Sequence, residues 1–167
     1  NAIGSFQLSQ LNSSSVQSKL KAAGINTNSK QYKAAVKQMM SAGNGAMYGN
    51  IQGIKNLMSH YDKDGDYINP VNGLAGLLVT DENESSRKKI ISIPDSSKEE
   101  MYELTKKEFL RENGVCNGDT TRRSDVYNNL YRKMQKKDRL AAGYTLEKYE
   151  RIYRQAFYDA AKTADPN

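Results

Sequence analysis

The residues best placed to do chemistry are Asp62, Asp64 and Asp66, at alternate positions in Tyr61-Asp62-Lys63-Asp64-Gly65-Asp66-Tyr67-Ile68-Asn69-Pro70. Gly65 and the acids themselves favour a tight loop there. Three carboxylates held about 4–5 Å apart repel by on the order of 1 kcal/mol per pair even at water-like dielectric, and a cation relieves that repulsion. Ca2+ takes about six to eight oxygens at about 2.3–2.6 Å, and alternate acids offer the first three from one side of the ion. The same residues also fit a solvated turn whose acids bond local amides.

Leu57, Met58 and Tyr61 precede Asp62 at helical spacing, so a helix would deliver the chain into this loop. From Asn56 to Asp66 the sequence resembles the entering half of an EF-hand. The likeness stops beyond Asp66. The family places Gly at the sixth loop position, where this chain has Tyr67, and a bidentate Glu at the twelfth, where it has Gly73; Pro70 obstructs a normal exiting helix. The resemblance implies Ca2+ held by the side chains of Asp62, Asp64 and Asp66 with the carbonyl of Tyr67 or Ile68. The far side of the shell is then left to Asn69, Asn72, Asp81 or Glu82. His60 reads as a helix-end residue, since imidazole is a poor partner for a hard cation.

Other chemistries find little equipment. One Cys (Cys116), one His (His60) and no Trp exclude an internal disulfide and leave too few soft ligands for a structural zinc site. Cys116 sits in a helix-ending loop sequence, Asn113-Gly114-Val115-Cys116-Asn117-Gly118, and no serine lies in a nucleophile-elbow pattern. Gly43-Asn44-Gly45 and Gly73-Leu74-Ala75-Gly76 match no phosphate-loop fingerprint. An enzyme would have to work with paired acids, such as Glu99, Glu100 or Glu103 facing Asp119 or Asp125. The expectation is a non-enzymatic chain.

Charge is distributed unevenly. The 167 residues carry a net charge of +6, yet Asp and Glu are absent before Asp62, where Lys19, Lys21, Lys30, Lys33, Lys37 and Lys55 are the only charged side chains. All eight Arg come later. An acid-free cationic third suits an anionic polymer, either nucleic acid or cell wall, through counterion release. The lysines are dilute and unclustered, and a solvated helical face accounts for them equally.

The elements that must position the loop follow from periodicity. Residues 1–14 read as a flexible polar leader and residues 15–167 as one domain. Within it, residues 15–60 are acid-free helices. The first is capped by Ser13 to Ser15 and closed by Gly24, the second is capped by residues 26–29 and carries Tyr32, Val36, Met39 and Met40, and the third runs from Ala46 to about His60. Residues 61–76 form the Asp-rich loop. Two β-branched runs, at 77–80 and 88–93, predict a small hairpin over 77–93. Residues 96–165 are helical again, with a capping box at Ser97 and Glu100, a middle helix over Val126 to Met134, and a last helix capped by Thr145. The fold class expected is therefore mainly α: about six helices with a small β-hairpin inserted after a calcium-type loop. Seven of the eleven Tyr lie from Tyr102 onward, on the apolar stripes. A core duty suits them, with hydroxyls at the rim of a thin core.

Hydrophobic residues, Tyr included, make up 37% of the chain, and no window approaches the roughly 18 apolar residues of a membrane span. No Sec-type apolar stretch opens the sequence. In Ser14-Ser-Val-Gln-Ser-Lys-Leu-Lys-Ala-Ala-Gly-Ile25, Tyr61-Asp-Lys-Asp-Gly-Asp66 and Glu103-Leu-Thr-Lys-Lys-Glu-Phe109 the chain is similar to an uncharacterised family of Gram-positive bacterial proteins. That resemblance implies a bacterial, single-domain setting and carries no activity with it. The expected role is a structural or interaction module with one EF-hand-like Ca2+ site, working with a protein partner in a secreted or surface setting. The alternative is anionic-polymer binding through the Lys-only first third.

Overall fold

The computed structural model describes residues 5–42, 48–112 and 122–164. Among them are seven α-helices and one two-stranded antiparallel sheet, so the chain is mainly helical as expected. It divides into two compact units, Asn1–Leu78 and Val79–Asn167. No helix among the described residues is long and apolar enough to cross a membrane.

The first unit contains β1 (Phe6–Gln7), a 3-10 turn (Leu8–Gln10), α1 (Ser14–Ala22), α2 (Lys30–Ala42), β2 (Tyr48–Gly49) and α3 (Ile51–Met58). Local chemistry sets the helix ends. Ser13 Oγ accepts the Val16 amide, Gly24 closes α1 at φ +84°, and Ser29 Oγ accepts the Tyr32 amide at 3.1 Å. Phe6, Leu8, Leu11, Val16, Leu20, Ile25, Tyr32 and Ile54 form the core. The polar leader expected over residues 1–14 is thus corrected from Phe6 on, because three of its few apolar side chains are buried. The start of α3 moves as well. Ala46 lies outside the described residues, whereas Tyr48 and Gly49 pair with Gln7 and Phe6, and Asn50 caps the helix by accepting the Gly53 amide. A Cβ on Gly49 would stand 3.1 Å from Leu8 and 3.4 Å from the Phe6 ring, so a side chain there would press on both.

The second unit holds α4 (Glu84–Arg87), α5 (Asp95–Glu112), α6 (Arg123–Lys133), a 3-10 turn (Lys136–Asp138) and α7 (Arg139–Ala164). Helix α7 packs against α4, α5 and α6. Its core is Ile93, Met101, Leu104, Val126, Leu130, Ala142 and Leu146. The hairpin predicted over residues 77–93 is not formed: the molecule's small sheet is β1–β2, and α4 occupies the middle of that segment. The second β-branched run finds a different partner. Thr145 Oγ1 accepts the Ile91 amide at 2.9 Å and donates to the Lys89 carbonyl at 3.2 Å.

Thr145 is therefore no cap. It is fully buried inside α7, which starts six residues earlier, at Arg139. Ser97 is likewise inside α5, buried with an unpartnered Oγ, because the Pro94 carbonyl accepts the Ser97 amide and the helix begins at Asp95. Ahead of the middle helix, residues 113–121 lie outside the described residues, and at its start Asp125 accepts the Arg122 amide at 3.1 Å. Thr145→Val keeps the shape and removes both bonds, so it is expected to lower stability by about 1–3 kcal/mol in urea unfolding. An unchanged midpoint would show that the hydroxyl does not hold residues 89–91.

Candidate metal centre

Helix α3 ends at Met58, and α2 grips the chain just beyond it. Gln31 Nε2 donates to the carbonyls of Met58 and Tyr61, both at 2.8 Å, and Tyr61 Oη donates to Gln38 Oε1. Tyr61 and Tyr67 then pair as an isolated antiparallel bridge, their rings edge to face at 6.0 Å. Burial, and to a lesser extent Tyr67, push the Tyr61 phenol above its ordinary pKa, so it stays a neutral donor.

Between these two tyrosines the chain reverses. The Asp62 amide donates to the Asp66 carbonyl at 2.9 Å, and the Gly65 amide to the Asp62 carbonyl at 3.0 Å. Gly65 has φ +82°, and a Cβ there would lie 3.0 Å from the Lys30 carbonyl, so the turn needs glycine twice over. Asp62 Oδ1 accepts the amides of Asp64 at 3.0 Å and Asp66 at 2.9 Å. These are the local bonds that a turn of this composition makes, and they also gather its acids. One carboxylate oxygen from each of Asp62, Asp64 and Asp66 lies within 4.8 Å of the other two. Ligands about 2.4 Å from an ion stand about 3.4 Å apart when adjacent and about 4.8 Å apart when opposite, so the spacing fits a shared divalent cation. Asp62 is half-buried; Asp64 and Asp66 are exposed. All three are hard oxygen donors, suited to Ca2+ or Mg2+ rather than to a thiophilic metal.

The far side is built differently from an EF-hand. Ile68 bridges to Ala75, and its amide donates to the His60 carbonyl at 2.8 Å. Asn69 Oδ1 accepts the Val71 amide and Asn72 Oδ1 the Leu74 amide, at 2.8 and 2.9 Å, so both amide oxygens shape their own turn. Asp81 and Glu82 belong to the second unit. His60 is exposed at the helix end, as expected.

The paired-acid arrangement considered for an enzyme is not assembled among the described residues. Glu100 faces Lys133 and Asn129, Asp125 is spent on its helix start, and Glu99 and Glu103 are exposed. Asp119 and Cys116 lie outside the described residues. Gln31 and Gln38 hold the loop and were not singled out by sequence, because a glutamine that reaches across from a neighbouring helix leaves no local signature.

No curated protein and no solved structure matches this chain. A family model does: it spans residues 25–167, the Asp loop included, and by that match the chain belongs to DUF3879, a family defined by a domain of unknown function.

Proposed function

We propose that this small helical protein is a non-enzymatic structural or interaction module whose residues 61–75 bind Ca2+. The observation that carries this reading is the convergence of Asp62, Asp64 and Asp66 within 4.8 Å at the end of a helix. The three carboxylates would bind one face of the ion. The carbonyl of Tyr67 or Ile68, Asn69 or Asn72 after rotation, and water would complete the shell. Ion binding stabilises the folded loop by RT ln(1 + [L]/Kd), about 1.4–2.7 kcal/mol at 10–100-fold excess.

Thermal melts in calcium, in magnesium and in chelator check this, repeated on Asp64→Ala. Calcium is expected to raise the midpoint by about 4–10 °C, with a smaller rise in magnesium and none in the variant. Equal midpoints in calcium and chelator would sink the reading.

The second reading is binding of an anionic polymer, and what favours it is that Lys19, Lys21, Lys30, Lys33, Lys37 and Lys55 are all exposed on an acid-free stretch. Retention on heparin that falls steeply with salt, and weakens in a Lys30→Gln, Lys33→Gln, Lys37→Gln variant, is the expected result for that reading. Elution at the salt of a neutral control would dismiss it.

A further inference from the structure

The second unit contains a cavity of about 450 Å³ lying wholly within it, between α4, α6 and α7. Arg87 and Lys88 line it from the end of α4, Tyr127 and Tyr131 from α6, and Tyr144 and Glu147 from α7. Three observations bear on what it holds. The Arg87 Nε is buried and has no hydrogen-bond partner, an orphan donor of a kind that folded proteins rarely leave without an acceptor. Two adjacent cations stand on that wall, while Glu147, the one acid lining it, is engaged with Arg151 at 3.2 Å. The opposite walls are aromatic with polar tips. Burial, chiefly, and then Tyr127 and Glu147 hold the Tyr131 phenol up to about 12, so it remains a neutral donor at all ordinary pH.

Guanidinium beside ammonium selects an anionic oxygen group, and the guanidinium does so with directional, charge-assisted bonds. Tyr faces with hydroxyl tips suit a ring that is apolar on its flat side and hydroxylated at its edge. Ligand sites have this form, mostly apolar walls with a few convergent polar groups, and commonly measure about 300–1,000 Å³. Gly143 keeps the cavity floor thin: a Cβ there would stand 2.6 Å from Tyr131 Oη and displace that hydroxyl. We infer that this cavity binds a monosaccharide-sized anion, a sugar ring carrying one phosphate or carboxylate, with Arg87 and Lys88 on the charged group and the tyrosines on the ring. The site is independent of the Asp62 loop and stands or falls separately from it.

Isothermal titration of the full chain with glucose 6-phosphate, glucuronate, glucose and inorganic phosphate tests the inference. One or both anionic sugars are expected to bind at least about tenfold more tightly than glucose or phosphate, since each of those lacks one half of the recognised chemistry. Arg87→Met is expected to lose about tenfold or more in affinity. Lys88→Met, at an exposed side chain, is expected to keep the native circular dichroism, to weaken the anionic sugars and to leave glucose unchanged. Absence of binding by both anionic sugars overturns the proposal. So does inorganic phosphate binding as tightly as they do, or affinity that is indifferent to both substitutions.

Discussion

Leu146→Ala is expected to cost about 3–5 kcal/mol. Leu146 has no exposed surface and belongs to the same buried cluster as Ile93, Met101, Leu104, Val126, Leu130 and Ala142. Met101 and Leu104 ride on α5, Val126 and Leu130 on α6 and Ala142 on α7, helices of 18, 11 and 26 residues whose backbones resist collapsing into a void. The transfer and cavity contributions should therefore both be felt. Urea unfolding checks the magnitude. The two core clusters share no residue, so amide exchange should accelerate in α5–α7 while α1–α3 keep their protection. A loss under about 1 kcal/mol, or uniform loss of protection in both units, would contradict separate cores of this tightness.

Arg123→Met comes next, at about 2–4 kcal/mol, and its signature is asymmetry. Arg123 joins three helices: its Nη2 reaches both Glu108 oxygens on α5 at 2.9 Å, and its Nη1 pairs with Glu150 on α7. Glu150 has a 7% exposed side chain, so loss of the guanidinium leaves a buried carboxylate with Arg154 and the Tyr127 hydroxyl, each at 3.4 Å. Removing the other partner is milder. In Glu150→Leu the guanidinium keeps its bidentate bond to Glu108, and the cost is expected to stay below about 1.5 kcal/mol. The double variant should recover part of the Arg123→Met loss, because no buried charge is then stranded. Strict additivity in that cycle would mean that the pair does not interact in the folded state.

Both effects rest on residues that sequence placed only in part. Leu146 was legible as apolar because α7 keeps its 3.6-residue period, and the same held for the stripes of α1, α2 and α6. Arg123 and Glu150 read as ordinary helix charges. The two partners of Arg123 stand 15 and 27 positions away in sequence, and no local rule couples them to it. The candidate site divides in the same way. Asp62, Asp64 and Asp66 were visible because alternate acids around a glycine are a local pattern. The closure of the loop by Tyr61 and Tyr67, its grip by Gln31, and the commitment of Asn69 and Asn72 to their own turn were not.

The predicted hairpin at 77–93 failed for a related reason. A β-branched run specifies extended backbone that needs a partner, and here Thr145, 54 positions beyond Ile91, supplies it from inside a helix. Phe6, Leu8 and Leu11 went unread because three apolar residues without a period look like a tail until Gly49 and Ile54 are brought against them.

From its sequence alone this protein was determined to be mainly helical, to start its first two helices at Ser13 and Ser29 and close the first at Gly24, and to gather Asp62, Asp64 and Asp66 in an acidic turn. Each of those rests on free energies acting within about four or five residues, where side chain and backbone spacing are already set by the chain. Tertiary structure alone decided the division into two cores, the pairing of Phe6 with Gly49, the charge network on Glu150 and the tyrosine-walled cavity beside Arg87. Those depend on which distant surfaces exclude water together, and the same local pattern is compatible with many such choices until packing selects one.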